Sequence, residues 1–72
     1  MTEPHPATLS LLRYFEYAHL PPHLQAVSRP FGELARMMAG SLEGPEVTVG
    51  LRKLLEAKDC FVRAALDGGN ES

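Results

Sequence analysis

Aromatic and cationic side chains cluster in the first half of the chain. Tyr14, Phe15 and Tyr17 lie close together in sequence, and Arg29 and Arg36 follow after a pair of prolines. Aromatic rings stack on the flat faces of nucleobases, and guanidinium groups bind phosphates through paired hydrogen bonds. These residue types therefore indicate nucleotide binding. The competing interpretation places Phe15 in the core and the arginines in surface ion pairs.

The sequence gives less support to a catalytic or metal site than to nucleotide binding. His19 and His23 are four residues apart, and Glu16 lies three residues before His19. A proline pair between the two histidines breaks the helical spacing that a metal site would use, so we expect ordinary polar contacts there. Cys60 is expected to be a packed, unreactive thiol on an apolar helix face. The sequence predicts no enzyme, no metal site and no cofactor.

Length and charge limit the class of protein. The chain has 72 residues, a formal net charge of −2 and a hydrophobic share of 44%. This composition predicts a packed single domain and not a disordered chain. Without a basic stripe, DNA binding is disfavoured. We also expect neither a secretion signal nor a membrane span, and a lone cysteine suits the reducing cytoplasm.

The pattern of prolines, glycines and apolar residues predicts an all-α fold. We expect a short N-terminal helix or arm followed by an antiparallel two-helix hairpin, assembled as a homo-oligomer. Residues 1–7 would form a flexible arm, 8–66 the hairpin domain and 67–72 a flexible tail. Thr8 could cap a short helix to about Tyr17, with a strand over residues 13–17 as the alternative.

A first long helix is predicted from Pro22 onward, because apolar residues then recur every three or four positions. They are Leu24, Val27, Phe31, Leu34 and Met38. Pro30 interrupts this helix in one of two ways: it kinks the helix, or the helix restarts there with Ser28 or Arg29 as its cap. Gly40 is the expected C-terminal cap.

A second long helix is predicted from Pro45 to about Leu66, ending before Gly68-Gly69. Its apolar residues cover a wider arc than one helix seam requires. They are Val47, Leu51, Leu54, Leu55, Phe61, Val62, Ala65 and Leu66. Because a chain this short buries little surface and has no disulfide, we expect this surplus to be covered by another copy.

The order of these features resembles the hairpin domain of phage proteins known as anti-CBASS and anti-Thoeris sponges. The resemblance covers about Phe15 to Leu66. Its main motifs are YFEYAHLPPHLQ, SRPFGELARMM, a Gly-Pro-Glu loop at 44–46 and a closing helix LRKLLEAKDCFVRAAL.

The resemblance implies a function and a set of site residues. Such proteins are not enzymes; they form helical oligomers, typically hexamers, that sequester cyclic oligonucleotide messengers in the host cytoplasm during infection. It implies that Tyr17 stacks on a base, with the surrounding turn held by His19 and Pro21. Either Arg29 or Arg36 would contact the phosphates.

A further residue enters through the same resemblance. Arg63 resembles the position from which the family builds a separate site for cyclic trinucleotides. The alternative function is a small protein-interaction or scaffold module that docks a partner on the surplus apolar face of the second helix.

Overall fold

A computed structural model describes residues 6–68, which form three α-helices. They are α1 (Pro6–Arg13), α2 (Pro22–Ser41) and α3 (Pro45–Gly68). The predicted all-α fold is confirmed for these residues. The strand alternative over residues 13–17 is wrong, because this stretch is the end of α1 and a turn.

Helix α1 begins earlier and ends earlier than predicted. It starts at Pro6, because a proline suits the first helical position, so the last two residues of the predicted arm are helical. The other five arm residues lie outside the described range. Thr8 is not a cap: it is buried, and its Oγ1 lies 3.3 Å from Oγ1 of Thr48 in α3. The helix ends at Arg13.

Helix α2 is continuous across Pro30, so the predicted restart of the helix at that residue is wrong. It begins at Pro22, and the carbonyl of Pro21 accepts hydrogen bonds from Leu24 and Gln25 at 2.9 Å each. A proline interrupts only one bond of the helical ladder, which the rest of a 20-residue helix tolerates.

Small residues form the buried face of α2, in place of the predicted apolar stripe. Of that stripe, Leu24 is buried and Phe31 packs against the core, but Leu34 and Met38 are 38% and 37% exposed. The buried residues of the helix are Leu24, Ser28, Gly32, Ala35 and Ala39. Small side chains let neighbouring segments approach the helix backbone closely, and a count of large apolar residues does not detect them.

The loop after α2 is also shifted from the prediction. Gly40 is not the cap: the helix continues to Ser41, and the N–H of Leu42 bonds to the carbonyl of Met38 at 3.0 Å. Gly44, with a φ of 112°, supplies the left-handed residue instead. Helix α3 starts at Pro45 as predicted and runs through Gly68, so the first two residues of the predicted tail are helical. The rest of the tail lies outside the described range.

The core lies where the three helices meet. It contains Phe15, Ala35, Ala39 and Leu51, and Phe15 is only 1% exposed. Farther along, the rings of Phe31 and Phe61 stack with centroids 5.7 Å apart. None of the helices within residues 6–68 has the length and apolar character of a membrane span.

Candidate functional site

Tyr17 packs directly on the backbone of α2 at Gly32. A Cβ atom added to Gly32 would lie 3.2 Å from both Cδ2 and Cε2 of Tyr17, and 2.9 Å from the carbonyl oxygen of Phe15. Only glycine leaves room for the ring at this position. Tyr17 is partly buried, so part of the ring surface is covered by α2 and part remains accessible.

Arg29 lies next to Tyr17, one turn before Gly32 on α2. Its Nε donates a hydrogen bond to Oε2 of Glu33 at 3.1 Å, and the two side chains are 63% and 58% exposed. The pKa of the Arg29 guanidinium is raised above its ordinary value, first by the hydrogen bond and charge of Glu33 and then by Tyr17. An aromatic ring and a cation are thus adjacent on an exposed surface.

The segment that carries Tyr17, residues 14–21 between α1 and α2, is held at both ends; we call it the corner segment. Nε2 of Gln25 donates to the carbonyls of Leu20 at 2.8 Å and Ala18 at 3.3 Å. Nζ of Lys58 in α3 donates to the carbonyl of Tyr14 at 2.9 Å. These side chains replace backbone partners that an irregular segment lacks, so they fix its path.

His19 is an exposed residue of the corner segment. The resemblance assigned it to holding this turn, but the side-chain bonds described above come from Gln25 and Lys58. Within residues 6–68, His, Cys, Asp and Glu form no group of three that could hold a metal ion. Among residues 6–68, His19 is thus not one of the side chains whose hydrogen bonds hold the corner segment.

The two remaining predicted arginines are separated from Tyr17. Arg36 is exposed on α2, seven residues after Arg29, which places it about 10 Å farther along the helix. Arg63 is exposed on α3, and its Nη2 lies 3.5 Å from Sγ of Cys60. The structure therefore brings together Tyr17 and Arg29, and it does not bring Arg36 or Arg63 into direct contact with them.

Cys60 corrects a prediction. It was expected to be packed on an apolar face, but the residue is exposed. The reason is that α1 and α2 cover a narrower face of α3 than the arc over which its apolar residues are spread. Its neighbour Phe61 is 55% exposed as well, although it stacks on Phe31.

An apolar groove runs between the C-terminal half of α2 and the N-terminal half of α3. It has a volume of about 320 Å³. Besides Glu46, its lining includes Leu34, Met38, Leu42, Val47 and Leu54. The groove thus contains the N-terminal part of the apolar residues predicted for the second helix, together with the end of the first, whereas Phe61 and Leu66 lie outside it.

Three residues of the site were missed from the sequence. They are Gly32, Gln25 and Lys58, and none of them carries a motif that marks it as a partner of the corner segment. Neither a family model, nor a curated protein, nor a solved structure matches the chain. The function is therefore argued from the geometry of Tyr17, Gly32 and Arg29.

Proposed function

We propose that this chain binds cyclic dinucleotides and holds them without cleaving them. The proposal rests on one observation: the ring of Tyr17 packs against Gly32, and Arg29 lies beside it. The ring offers a stacking surface for a base, and the guanidinium offers hydrogen bonds to groups at the edge of that base or to a phosphate. The resemblance of the corner segment to phage sponges supports the same ligand class.

The hydrogen bonds that hold the corner segment suit a protein that binds a ligand tightly without converting it. Because Gln25 and Lys58 fix the segment before a ligand arrives, little conformational entropy is lost when the ligand binds. A protein whose function is to deplete a messenger needs tight binding and no catalytic group. In this proposal the chain acts in the cytoplasm of an infected host and suppresses CBASS-type antiphage signalling.

Self-association is part of the proposal. We propose that α2 and α3 form the hairpin of a homo-oligomer, which the resemblance suggests is a hexamer. A cyclic dinucleotide has two bases and two phosphates, so a pocket between two symmetric copies would supply one Tyr17 and one Arg29 for each half of the ligand. The apolar groove at Met38 and Leu42 is surface that a second copy can cover.

Titration calorimetry of the purified protein with a panel of cyclic dinucleotides tests this proposal. We expect at least one to bind, with a stoichiometry below one ligand per chain because two chains share each pocket. The ligand should be recovered intact after denaturing the complex and separating it by chromatography. Including cyclic trinucleotides tests the second site that the resemblance implies around Arg63. No heat with any ligand, or recovery of a linear product, would count against the proposal.

A protein-interaction module is the second candidate, and the apolar groove favours it. Surfaces of this kind accept an amphipathic helix from another protein. Recovery of one heterologous protein in stoichiometric amounts, together with no affinity for cyclic nucleotides, would support this alternative.

A further inference from the structure

Glu33 neutralises the positive charge of Arg29 at the candidate site. A simple phosphate site offers unpaired cations, whereas here Nε of Arg29 already bonds to the Glu33 carboxylate at 3.1 Å. The pair has no net charge, and a phosphate that approached Arg29 would also meet a carboxylate of its own sign. The pair is therefore poorly suited to bind phosphate alone.

The helical positions of these residues place the pair beside the stacking ring. Arg29 and Glu33 are four residues apart and share one face of α2. Gly32, against which the ring of Tyr17 packs, is three residues after Arg29 and directly precedes Glu33. A base that stacks on Tyr17 would thus turn an edge toward a guanidinium and a carboxylate that are already held together.

Guanine has the edge that matches such a pair. Its O6 and N7 accept hydrogen bonds, and arginine is a common partner of these two atoms. Its N1–H and 2-amino group are donors on the adjoining edge, and an ionised carboxylate only accepts. Adenine differs because its N1 is an acceptor, which a carboxylate repels, and its single amino group is its one donor there.

We infer that Glu33 makes the site selective for cyclic dinucleotides that contain guanine. In this arrangement Tyr17 stacks on the guanine, Arg29 donates to O6 and N7, and the Glu33 carboxylate accepts from N1–H and the amino group. The inference rests on the proposed function and names the base that the proposed site reads.

Calorimetry with cyclic di-GMP and cyclic di-AMP tests the inference on the intact protein. We expect wild-type protein to bind cyclic di-GMP about tenfold or more tightly, since a well-placed paired contact discriminates between bases to this extent. In the Glu33→Gln variant the amide has the same size but only one acceptor, so this preference should be lost. Glu56→Gln, an exposed acid on α3, is the matched control and should keep the preference.

The outcomes separate the two proposals. Binding of neither ligand would overturn the role of Glu33, whereas the proposed function would be overturned only if the full panel of cyclic dinucleotides gave no heat. Equal binding of both ligands, or tighter binding of cyclic di-AMP, would overturn the guanine selectivity and leave the proposed function standing. A Glu33→Gln variant that keeps the wild-type preference and a folded circular dichroism spectrum would likewise overturn the role of Glu33.

Discussion

The candidate site depends on the absence of a side chain at Gly32. Gly32 lies on the buried face of α2 with Ser28, Ala35 and Ala39. Because these residues are small, the corner segment can pack closely against α2. The carbonyl of Phe15 and the ring of Tyr17 occupy the space that a Cβ would need. The position of the ring next to Arg29 follows from this contact.

Replacing Gly32 with alanine should therefore destabilise the protein, even though alanine favours helices. The new Cβ would lie 2.9 Å from a backbone oxygen, which cannot rotate away. We expect the free energy of unfolding to fall by about 1–3 kcal/mol, as for overpacked cores. Urea denaturation measures this change, and calorimetry should show weaker ligand binding because Tyr17 is displaced.

Gly40 provides the control in the same helix. Apart from its chain neighbours and the nearby backbone of its own helix, no described atom lies within 4 Å of the place where its Cβ would be. Gly40→Ala should therefore raise the free energy of unfolding by about 0.5–1 kcal/mol. If Gly32→Ala stabilised the protein as much as Gly40→Ala, Tyr17 would not lie against α2 as described.

At the scale of elements, the corner segment connects α1 to α2 through turns, in which the backbone N–H groups of four residues bond to carbonyls three residues earlier. Its path is set from two sides, by Gln25 in α2 and by Lys58 in α3. The Lys58 side chain is only 12% exposed and also lies 3.1 Å from a carboxylate oxygen of Asp59. Helix α3 thus contributes to the corner segment through the bond of Lys58 to the carbonyl of Tyr14.

Truncating Lys58 tests this contribution. Lys58→Ala removes a charged donor from the carbonyl of Tyr14, and such hydrogen bonds contribute about 1.5–3 kcal/mol. We expect a loss of stability in that range. Lys53→Ala, an exposed lysine in the same helix, should change stability by less than about 0.5 kcal/mol. Equal effects of the two substitutions in chemical denaturation would contradict the role of Lys58.

The sequence predicts the elements of this fold better than it predicts their faces. Prolines and glycines act locally, so the starts of α2 and α3 were correct. The buried face of α2 was not, because Ser28 and Gly32 are buried by close approach of another segment and not by their own hydrophobicity. Tyr17 and Arg29 were identified by residue type, but the position of the Tyr17 ring depends on its packing against Gly32, which the sequence pattern does not reveal.

At the scale of the whole molecule, the single chain leaves large apolar side chains without cover. Large apolar side chains such as Leu42, Phe61 and Leu66 are all more than half exposed. These values support the proposed self-association.

Two adjacent methionines test where the copies meet. Met38 lines the apolar groove, whereas Met37 is 59% exposed on the neighbouring helix position. If the groove is an interface, Met38→Glu would bury an unpaired charge and should lower the mass measured by light scattering toward that of a monomer. Met37→Glu adds the same charge and should keep the wild-type mass. An unchanged mass for Met38→Glu would exclude the groove as the interface.

In the proposed function, Tyr17 packs against Gly32 and stacks on a nucleobase. The most direct measurement compares Tyr17→Ala and Tyr14→Ala by calorimetry with the cyclic dinucleotide that wild-type protein binds most tightly. Stacking contributes about 1–3 kcal/mol for each base, so Tyr17→Ala should weaken binding by about 5- to 150-fold. Tyr14, which is 66% exposed, should be replaceable without loss. Wild-type affinity in the Tyr17→Ala variant, with its mass unchanged, would show that Tyr17 does not stack on the base.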